Sequence, residues 1–312
     1  MRFRRYLFAF ALFSLVCGAC SAGVPSAQVA PAKAPPTLEE LKGLTYSGIP
    51  ETPGPVTLQN GVWTGEPAVP GGASRPTVRL ADDFLILGDL DGDGLDESVV
   101  VLTFNSGGSG VFSYLAVVSR REGKLDNIAT ESLGDRVQLK TASIQNQKLL
   151  ASVVRSGSGD AACCPGELAD LQWSFDGRKP SAPITAKTSR LSLGALAGTE
   201  WILRSWDLTE SAALEPVVTL TYDAGRIAGS SGCNRYNGTA TDGPATGEFS
   251  VGPLAGTRMA CADTLSAVET RFIEQLSGAQ TYGFMLGRLA ISYRKTGGSM
   301  GTMLFQDRAA LR

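Results

Sequence analysis

The chain opens with a cationic start and an apolar run that is too short to cross a bilayer. Arg2, Arg4 and Arg5 precede the run 6–17, which only Ser14 interrupts. Its 12 residues suit the hydrophobic region of an export signal, whereas a transmembrane helix needs about 20. The pattern predicts a signal peptide over 1–19.

From residue 37 to 176 the apolar positions form short runs bounded by Gly, Asp or Asn, which is typical of strands. The predicted strands are Phe84–Leu87, Ser98–Phe104, Val111–Val118, Arg136–Leu139 and Leu149–Val154. A single short helix is expected before them, because Thr37 and Glu40 have the spacing of a capping box and Gly43 follows. This region is predicted to be a mostly antiparallel β domain.

Residues 177–193 mix Lys, Pro, Ser and Thr without a core pattern and are predicted to be a linker. Beyond them, strands are expected at the following positions: around Trp201, 217–222, 226–238, 249–251, 254–261, 289–293 and 303–305. One helix is well specified. Its apolar stripe consists of Leu265, Val268, Phe272 and Leu276; Asp263 or Thr264 is expected to cap it and Gly278 to end it. The fold class is therefore mainly β, with two small domains of antiparallel sheet, the second carrying one helix packed on its sheet.

Composition supports two domains and removes much of the usual catalytic chemistry. The 312 residues are 43% apolar and 19% charged, which suits two globular domains of about 100–150 residues. The chain contains no histidine, so it lacks the commonest general base and the commonest zinc ligand. We therefore expect a protein that is not an enzyme.

Charge argues against a nucleic-acid partner. Loss of the three signal-peptide arginines leaves 25 basic against 30 acidic residues, a net charge of about −5. No basic run remains that could follow a phosphate backbone.

The most informative motif is the acidic segment from Gly88 to Glu97, with sequence GDLDGDGLDE. Acidic side chains at loop positions 1, 3 and 5 with glycine at position 6 are typical of calcium loops. Val100 stands where an EF-hand needs its final glutamate, so the segment resembles the nine-position calcium loop of β-propeller and FG-GAP repeats instead. The expected ligands are Asp89, Asp91, Asp93, the Leu95 carbonyl and Glu97, and calcium is expected in a structural role. The alternative is an acidic turn without an ion.

Cys20 is predicted to carry a lipid. Gly18 and Ala19 before it resemble a lipobox, although Cys17 stands where leucine is usual. The alternative is ordinary cleavage near Ala22 or Ala30. Residues 20–36 are rich in alanine and proline, which predicts a semi-extended tether. Ser21 favours the outer membrane, facing the periplasm, by the enterobacterial sorting pattern.

Residues 194–309 resemble the META domain, a family of HslJ-like bacterial envelope proteins. The resemblance is carried by three motifs and a helix: Leu196–Trp201 (LAGTEW), Gly232–Gly238 (GCNRYNG), Thr257–Cys261 (TRMAC) and the helix with Glu269. It implies a compact β-rich fold with one main helix. Members are linked to heat shock, novobiocin tolerance and virulence or motility without an agreed molecular activity. The first domain resembles only uncharacterised envelope proteins that carry the same acidic loop.

Once the signal is removed and Cys20 acylated, four cysteines remain and three pairings are open. Cys233 with Cys261 is the simplest. Cys163 and Cys164 are adjacent, and a disulfide between them would form a strained ring, because consecutive Cα atoms lie only ~3.8 Å apart. A rigid turn is the expected outcome there, and a redox role is the alternative. Asn234, Arg235 and Tyr236 form a candidate binding turn.

The segment Gly297–Gly301 matches G-x-S-x-G, but that motif needs a strand–turn–helix and a histidine partner. A hairpin turn is expected there. The function predicted is that of a non-catalytic envelope lipoprotein with a binding or stress role. Its partners are the bilayer, through Cys20, and an unknown envelope protein or small molecule. The alternatives are a lipoprotein that captures a secreted enzyme and, less favoured, a calcium-dependent hydrolase.

Overall fold

The computed structural model describes residues 34–311, except Ala68, Ala162 and residues 177–178. The predicted signal peptide, Cys20 and most of the tether lie outside the described residues. Within them, no helix has the length and apolar content that crossing a bilayer requires.

The N-terminal region, residues 34–190, is almost entirely strand, as its short apolar runs predict. Its elements are α1 (Leu38–Leu41), β1 (Thr45–Tyr46), β2 (Val56–Thr57), β3 (Val62–Thr64), β4 (Thr77–Gly88), β5 (Glu97–Asn105), β6 (Phe112–Arg121), β7 (Lys124–Asp135), β8 (Gln138–Gln145), β9 (Lys148–Arg155), β10 (Glu167–Asp176), β11 (Lys179–Pro180) and β12 (Ile184–Arg190). The capping box predicted for α1 is confirmed, with Thr37 as N-cap and Glu40 as its partner.

The C-terminal region, residues 191–311, combines strands with one long helix. Its elements are a 3₁₀ turn (Leu193–Leu196), β13 (Trp201–Asp207), β14 (Glu210–Ser211), β15 (Thr219–Asp223), β16 (Arg226–Ser230), β17 (Arg235–Asp242), β18 (Phe249–Val251), β19 (Ala255–Gly256), α2 (Asp263–Ser277), β20 (Ala279–Met285), β21 (Arg288–Arg294), β22 (Met300–Asp307) and a final 3₁₀ turn (Arg308–Leu311). The predicted fold class, mainly β with antiparallel sheets and one helix in the second region, is confirmed.

Strands β3 to β7 form one antiparallel sheet in chain order, and this sheet is covered on both faces. In β5, Val100 and Leu102 pack into a core with α1, β1 and β2. Val99 and Val101, which alternate with them, pack into a second core against β8, β9 and β10. Because both faces of β5 are buried, its sequence is a continuous apolar run rather than an alternating one.

The second sheet, β8 to β12, revises the predicted linker. Residues 184–190 are strand β12, which pairs antiparallel with β10. All seven of its residues are exposed, so it shows no apolar alternation from which a strand could be predicted.

The C-terminal strands form a nearly closed, barrel-like antiparallel sheet in the order β18-β17-β16-β15-β13-β22-β21-β20. Its ends meet at an isolated bridge between Glu248 and Thr281. Phe272 and Leu276 of α2 are fully buried in its core, as the apolar stripe predicts. Neither Asp263 nor Thr264 caps the helix: Ala262 occupies the N-cap without a side-chain bond. Gly278 stands at the C-cap, as predicted.

Two further strand predictions are wrong in detail. Only the second half of 136–139 is strand, because Arg136 has φ 53° and lies in a turn and β8 begins at Gln138. Of 254–261, only Ala255–Gly256 pairs as strand. Among the strands that were not predicted are the long β7, β10 and β20.

The described residues form one compact unit, and the two regions share contacts within it. The β20–β21 hairpin of the C-terminal region lies against β8 of the N-terminal region. The Phe284 N–H donates to Gln138 Oε1 at 2.8 Å, and the Gly287 N–H donates to the Leu139 carbonyl at 2.9 Å. Leu286, at the hairpin tip, packs on the core beneath β8.

Candidate metal site and the Gly-Cys-Asn turn

The acidic loop connects β4 to β5, whose pairing begins at Gly88 opposite Glu97. Gly92 and Gly94 have φ of 78° and 81°, values that favour glycine over residues with a Cβ. Gly94 is the glycine that the motif predicts for the sharp turn. The loop therefore folds back on itself and returns Glu97 to the side from which Asp89 leaves.

The turn brings three of the five predicted ligands together. One carboxylate oxygen from each of Asp89, Asp91 and Glu97 lies within 4.8 Å of the others. Asp93 is outside this group: its Oδ1 accepts the Leu95 N–H at 2.9 Å and its Oδ2 lies 3.4 Å from Arg121. The Leu95 carbonyl as a ligand stays a prediction.

Backbone N–H groups fix the carboxylates of the loop. Asp89 accepts the Gly92 N–H at 2.7 Å and the Gly94 N–H at 3.1 Å, one on each oxygen. Asp91 Oδ1 accepts the Asp93 N–H at 3.2 Å. Each oxygen retains a second lone pair, so these bonds orient the carboxylates without using up their capacity to bind a cation.

Glu97 is the buried member of the group, with no exposed surface. Its Oε2 accepts the Leu90 N–H at 2.9 Å, whereas its Oε1 is buried and has no hydrogen-bond partner among the described atoms. Burial raises the pKa of this carboxyl and the charges of Asp91 and Asp93 raise it further, whereas hydrogen bonds from the Leu90 N–H and the Ser119 hydroxyl oppose the rise. An unpaired buried carboxylate oxygen is costly, so this atom is the strongest sign that the loop is built for a positive ligand.

Arg121 supplies part of that positive charge, and the sequence did not point to it. It comes from the end of β6 and pairs with Asp91, whose side chain is only 1% exposed. One guanidinium contacts Asp91 and Asp93, whereas the segment 88–97 carries five acidic side chains, so the loop keeps a net negative charge. Clustered carboxylate oxygens are the ligands that Ca²⁺ prefers, and the group fits that ion.

The Gly-Cys-Asn turn joins β16 to β17, and Asn234 is its central contact. Its backbone and side-chain N–H groups both donate to Glu269 Oε2 on α2, at 3.1 and 3.0 Å. Its Oδ1 accepts the Thr257 hydroxyl at 2.7 Å and the Met259 N–H at 2.8 Å. Asn234 thus ties three segments together, and its side-chain bonds are used within the protein.

The other two residues of the candidate binding turn differ in exposure. Tyr236 is 3% exposed, donates its hydroxyl to the Thr219 carbonyl at 2.9 Å and packs edge-on against Phe272. Burial raises its pKa far above the ordinary value. Arg235 is exposed and lines a surface cleft with Met259. Of the three, Arg235 alone offers a side chain to a partner.

The cysteines lie in two pairs. Cys233 and Cys261 are joined across a Cα separation of 6.2 Å, which clamps the turn to the segment before α2. Cys163 and Cys164 are joined on an exposed loop. Gly232 has φ 101°, and a Cβ there would lie 3.0 Å from Val268, so the turn requires glycine at this position.

The G-x-S-x-G segment lies in the turn between β21 and β22. Arg294 pairs with Met300 across it, and the Lys295 N–H donates to the Ser299 carbonyl at 2.8 Å. It is a hairpin, as expected, and not a strand-to-helix elbow.

Comparison with known proteins gives a family for the C-terminal region. Residues 194–308 match the family model of the META domain. A solution NMR structure is 22% identical with a TM-score of 0.31 and covers 39% of this chain and 99% of its own. A second, from Burkholderia xenovorans, is 23% identical with a TM-score of 0.29 and covers 40% and 98%. No curated protein matches the chain.

Proposed function

Starting from the META domain at residues 194–308, we propose that this protein is a non-catalytic, lipid-anchored binding protein of the bacterial envelope. In this proposal its acidic loop holds a structural calcium ion. The absence of histidine from the sequence and the placement of G-x-S-x-G in a hairpin favour binding over catalysis.

The buried, unpaired Oε1 of Glu97 beside Asp89 and Asp91 carries the calcium part of this proposal. A bound cation would compensate the buried Oε1 of Glu97, which has no hydrogen-bond partner among the described residues. It would also relieve the repulsion among carboxylates that share a single guanidinium. The loop connects β4 to β5 at the end where their pairing begins, with Gly88 opposite Glu97. An ion that holds the loop would therefore stabilise the pairing of these two strands and, with it, the first sheet.

A thermal melt with and without calcium tests this role. We expect chelator-treated protein to melt at a lower temperature than protein with excess calcium, because a ligand at a hundredfold excess over its Kd adds about 2.7 kcal/mol of stability. Glu97→Gln should remove the response to calcium.

Glu131→Gln is the matched control, since Glu131 is a half-buried glutamate of the first sheet whose pKa burial also raises. Its carboxylate accepts the Trp173 Nε1–H at 3.1 Å, away from the loop. This variant should lose stability and keep the calcium response. Equal melting temperatures with calcium and with chelator in the unmodified protein would rule out a structural calcium ion.

The envelope part of the proposal rests on the export signal and the Gly18-Ala19-Cys20 motif. Labelling cells with a radioactive fatty acid tests it. The intact chain should incorporate label and fractionate with membranes, and Cys20→Ala should do neither. Label that persists in Cys20→Ala, or an intact chain found unlabelled in the medium, would overturn the lipid anchor.

A further inference from the structure

A cleft opens where the β20–β21 hairpin meets the first sheet. The sheet contributes Val101, Thr103 and Leu133, and the hairpin contributes Phe284, Met285 and Leu286. The volume is about 400 Å³, within the range of about 300–1,000 Å³ that is usual for small-molecule sites. Such sites occur preferentially between structural units of a chain.

The cleft lies at one end of the second core, the one between β5 and strands β8 to β10. Val99 and Val101 of β5 are buried in that core, whereas Thr103 on the same face is partly exposed and lines the cleft. The β4–β5 register also shifts, so that Leu80 opposes Leu102 but Leu85 opposes Val100. This irregularity lies beside the cleft, and Leu80 and Ala81 at its start line one wall.

The lining is mostly apolar from floor to mouth. Val101 and Leu133 are 2% and 7% exposed, and Phe284 is 4% exposed. At the mouth, Val111 and Met285 are 36% and 39% exposed. The apolar lining therefore runs from buried side chains at the floor of the cleft to exposed ones at its mouth, and we call this lining the trough.

One cation stands beside this trough. Arg79 is exposed and pairs in the sheet with Thr103, on the face opposite its buried neighbours Val78 and Leu80. Within the part of the chain that the structure describes, its guanidinium has no ion pair. An unpaired guanidinium next to an apolar trough is complementary to a molecule with one acyl chain and one anionic head.

We propose that this cleft binds a single-chain anionic amphiphile, with the acyl chain along Val101, Leu133 and Phe284 and the anionic head at Arg79. The inference rests on the binding role proposed above and gives it a ligand class. A free fatty acid and an anionic lysophospholipid share this chemistry, and the experiment compares the two.

The test is displacement of dansyl-undecanoate from the full chain carrying Cys20→Ala, so that no detergent is needed. We expect laurate and lysophosphatidylglycerol to displace the probe, and a cationic amphiphile of equal chain length, dodecyltrimethylammonium, to do so weakly. Displacement by laurate alone identifies the ligand as a free fatty acid, and displacement by lysophosphatidylglycerol alone identifies it as an anionic lysophospholipid.

Four substitutions locate the site. Arg79→Gln should weaken laurate binding about tenfold and leave binding of the cationic amphiphile unchanged. Arg75 is a neighbouring exposed arginine, and Arg75→Gln should change the binding of neither amphiphile. Thr103→Phe should fill the trough and abolish probe binding. Val111→Glu, at the exposed mouth, should also weaken laurate binding, and it replaces Thr103→Phe in the test if that variant does not fold.

Failure to bind the probe, or equal binding by Arg79→Gln, would overturn the proposal. A melting-temperature response to calcium measured on the same samples separates the two ideas. If calcium stabilises the protein but laurate does not bind, the amphiphile proposal is wrong and the calcium proposal stands.

Discussion

At the scale of single residues, buried polar side chains fix the geometry of both regions. Glu97, Arg120 and Asn234 are each less than 10% exposed, and a buried polar group must be paired or it costs stability. Local spacing predicted the convergence of Asp89, Asp91 and Glu97, because all three lie on one short loop. It could not predict Arg121, which reaches them only through the pairing of β5 with β6, or the bond from Asn234 to Glu269, 35 positions away.

Asn234→Asp should lower the free energy of unfolding by about 2–3 kcal/mol. The substitution removes the side-chain N–H that donates to Glu269 and sets two carboxylates against each other. Urea denaturation measures the change. Adding Glu269→Gln should restore most of the loss, because the new amide can donate to the introduced aspartate in place of the lost bond; a double variant no more stable than Asn234→Asp would contradict this account.

Glu40 gives a pH dependence. Its hydrogen bond from the buried Arg120 lowers the pKa of Glu40 from about 4.5 to about 2. A depressed carboxyl pKa contributes stability above the unfolded value, and this contribution is lost as pH falls. We expect stability to fall between about pH 4.5 and pH 2 with a slope that Glu40→Gln reduces. An unchanged slope in acid denaturation would show that the pair does not shift this pKa.

At the scale of elements, the sequence predicted those helices and strands whose buried faces produce a recognisable pattern of apolar residues. Strand β5 is buried on both faces and was found as an apolar run, and α2 was found from its stripe. Strand β12 is exposed throughout and pairs only through its backbone, so its side chains carry no signal. The N-cap of α2 was missed because Ala262 makes no side-chain bond and no residue-type preference marks it.

The two cysteine pairs should differ in their effect on stability. Cys233 and Cys261 are separated by 28 positions, and in the chain-entropy model a loop of that length contributes roughly 3–4 kcal/mol. Replacing both with serine should cost about that amount in urea denaturation. The Cys163→Ser, Cys164→Ser double variant is the control, because that pair closes no loop between distant residues. A larger loss from the adjacent pair would contradict the prediction.

At the scale of the whole molecule, the two regions have largely separate cores and meet at two places. One is the β20–β21 hairpin, and at the other Val154 and Leu168 of the N-terminal region pack into the C-terminal core. The order of patterns along the chain predicted the two regions, but the hairpin contact joins residues nearly 150 positions apart, which no local pattern can indicate. Because Leu286 packs on the core of the other region, we expect the chain to unfold in one cooperative transition.

Differential scanning calorimetry checks this coupling. Gln138→Ala combined with Leu286→Asn removes the hydrogen bond and the apolar contact; asparagine tolerates the positive φ of 51° at position 286. The transition should split in two. Arg288→Gln breaks only the partly exposed ion pair with Asp83, which contributes about 0–1 kcal/mol, and should leave one transition. A single transition in the double variant would mean that the interface does not couple the regions.

The central claim is that the acidic loop binds calcium. Calcium titration calorimetry on chelator-stripped protein tests it most directly, since it measures calcium binding itself and not the change in stability that binding produces. We predict one calcium ion per chain in the unmodified protein and no binding by Glu97→Gln, with Glu131→Gln binding normally. No heat of binding in the unmodified protein, or the same stoichiometry in Glu97→Gln, would contradict a calcium site built on Asp89, Asp91 and Glu97.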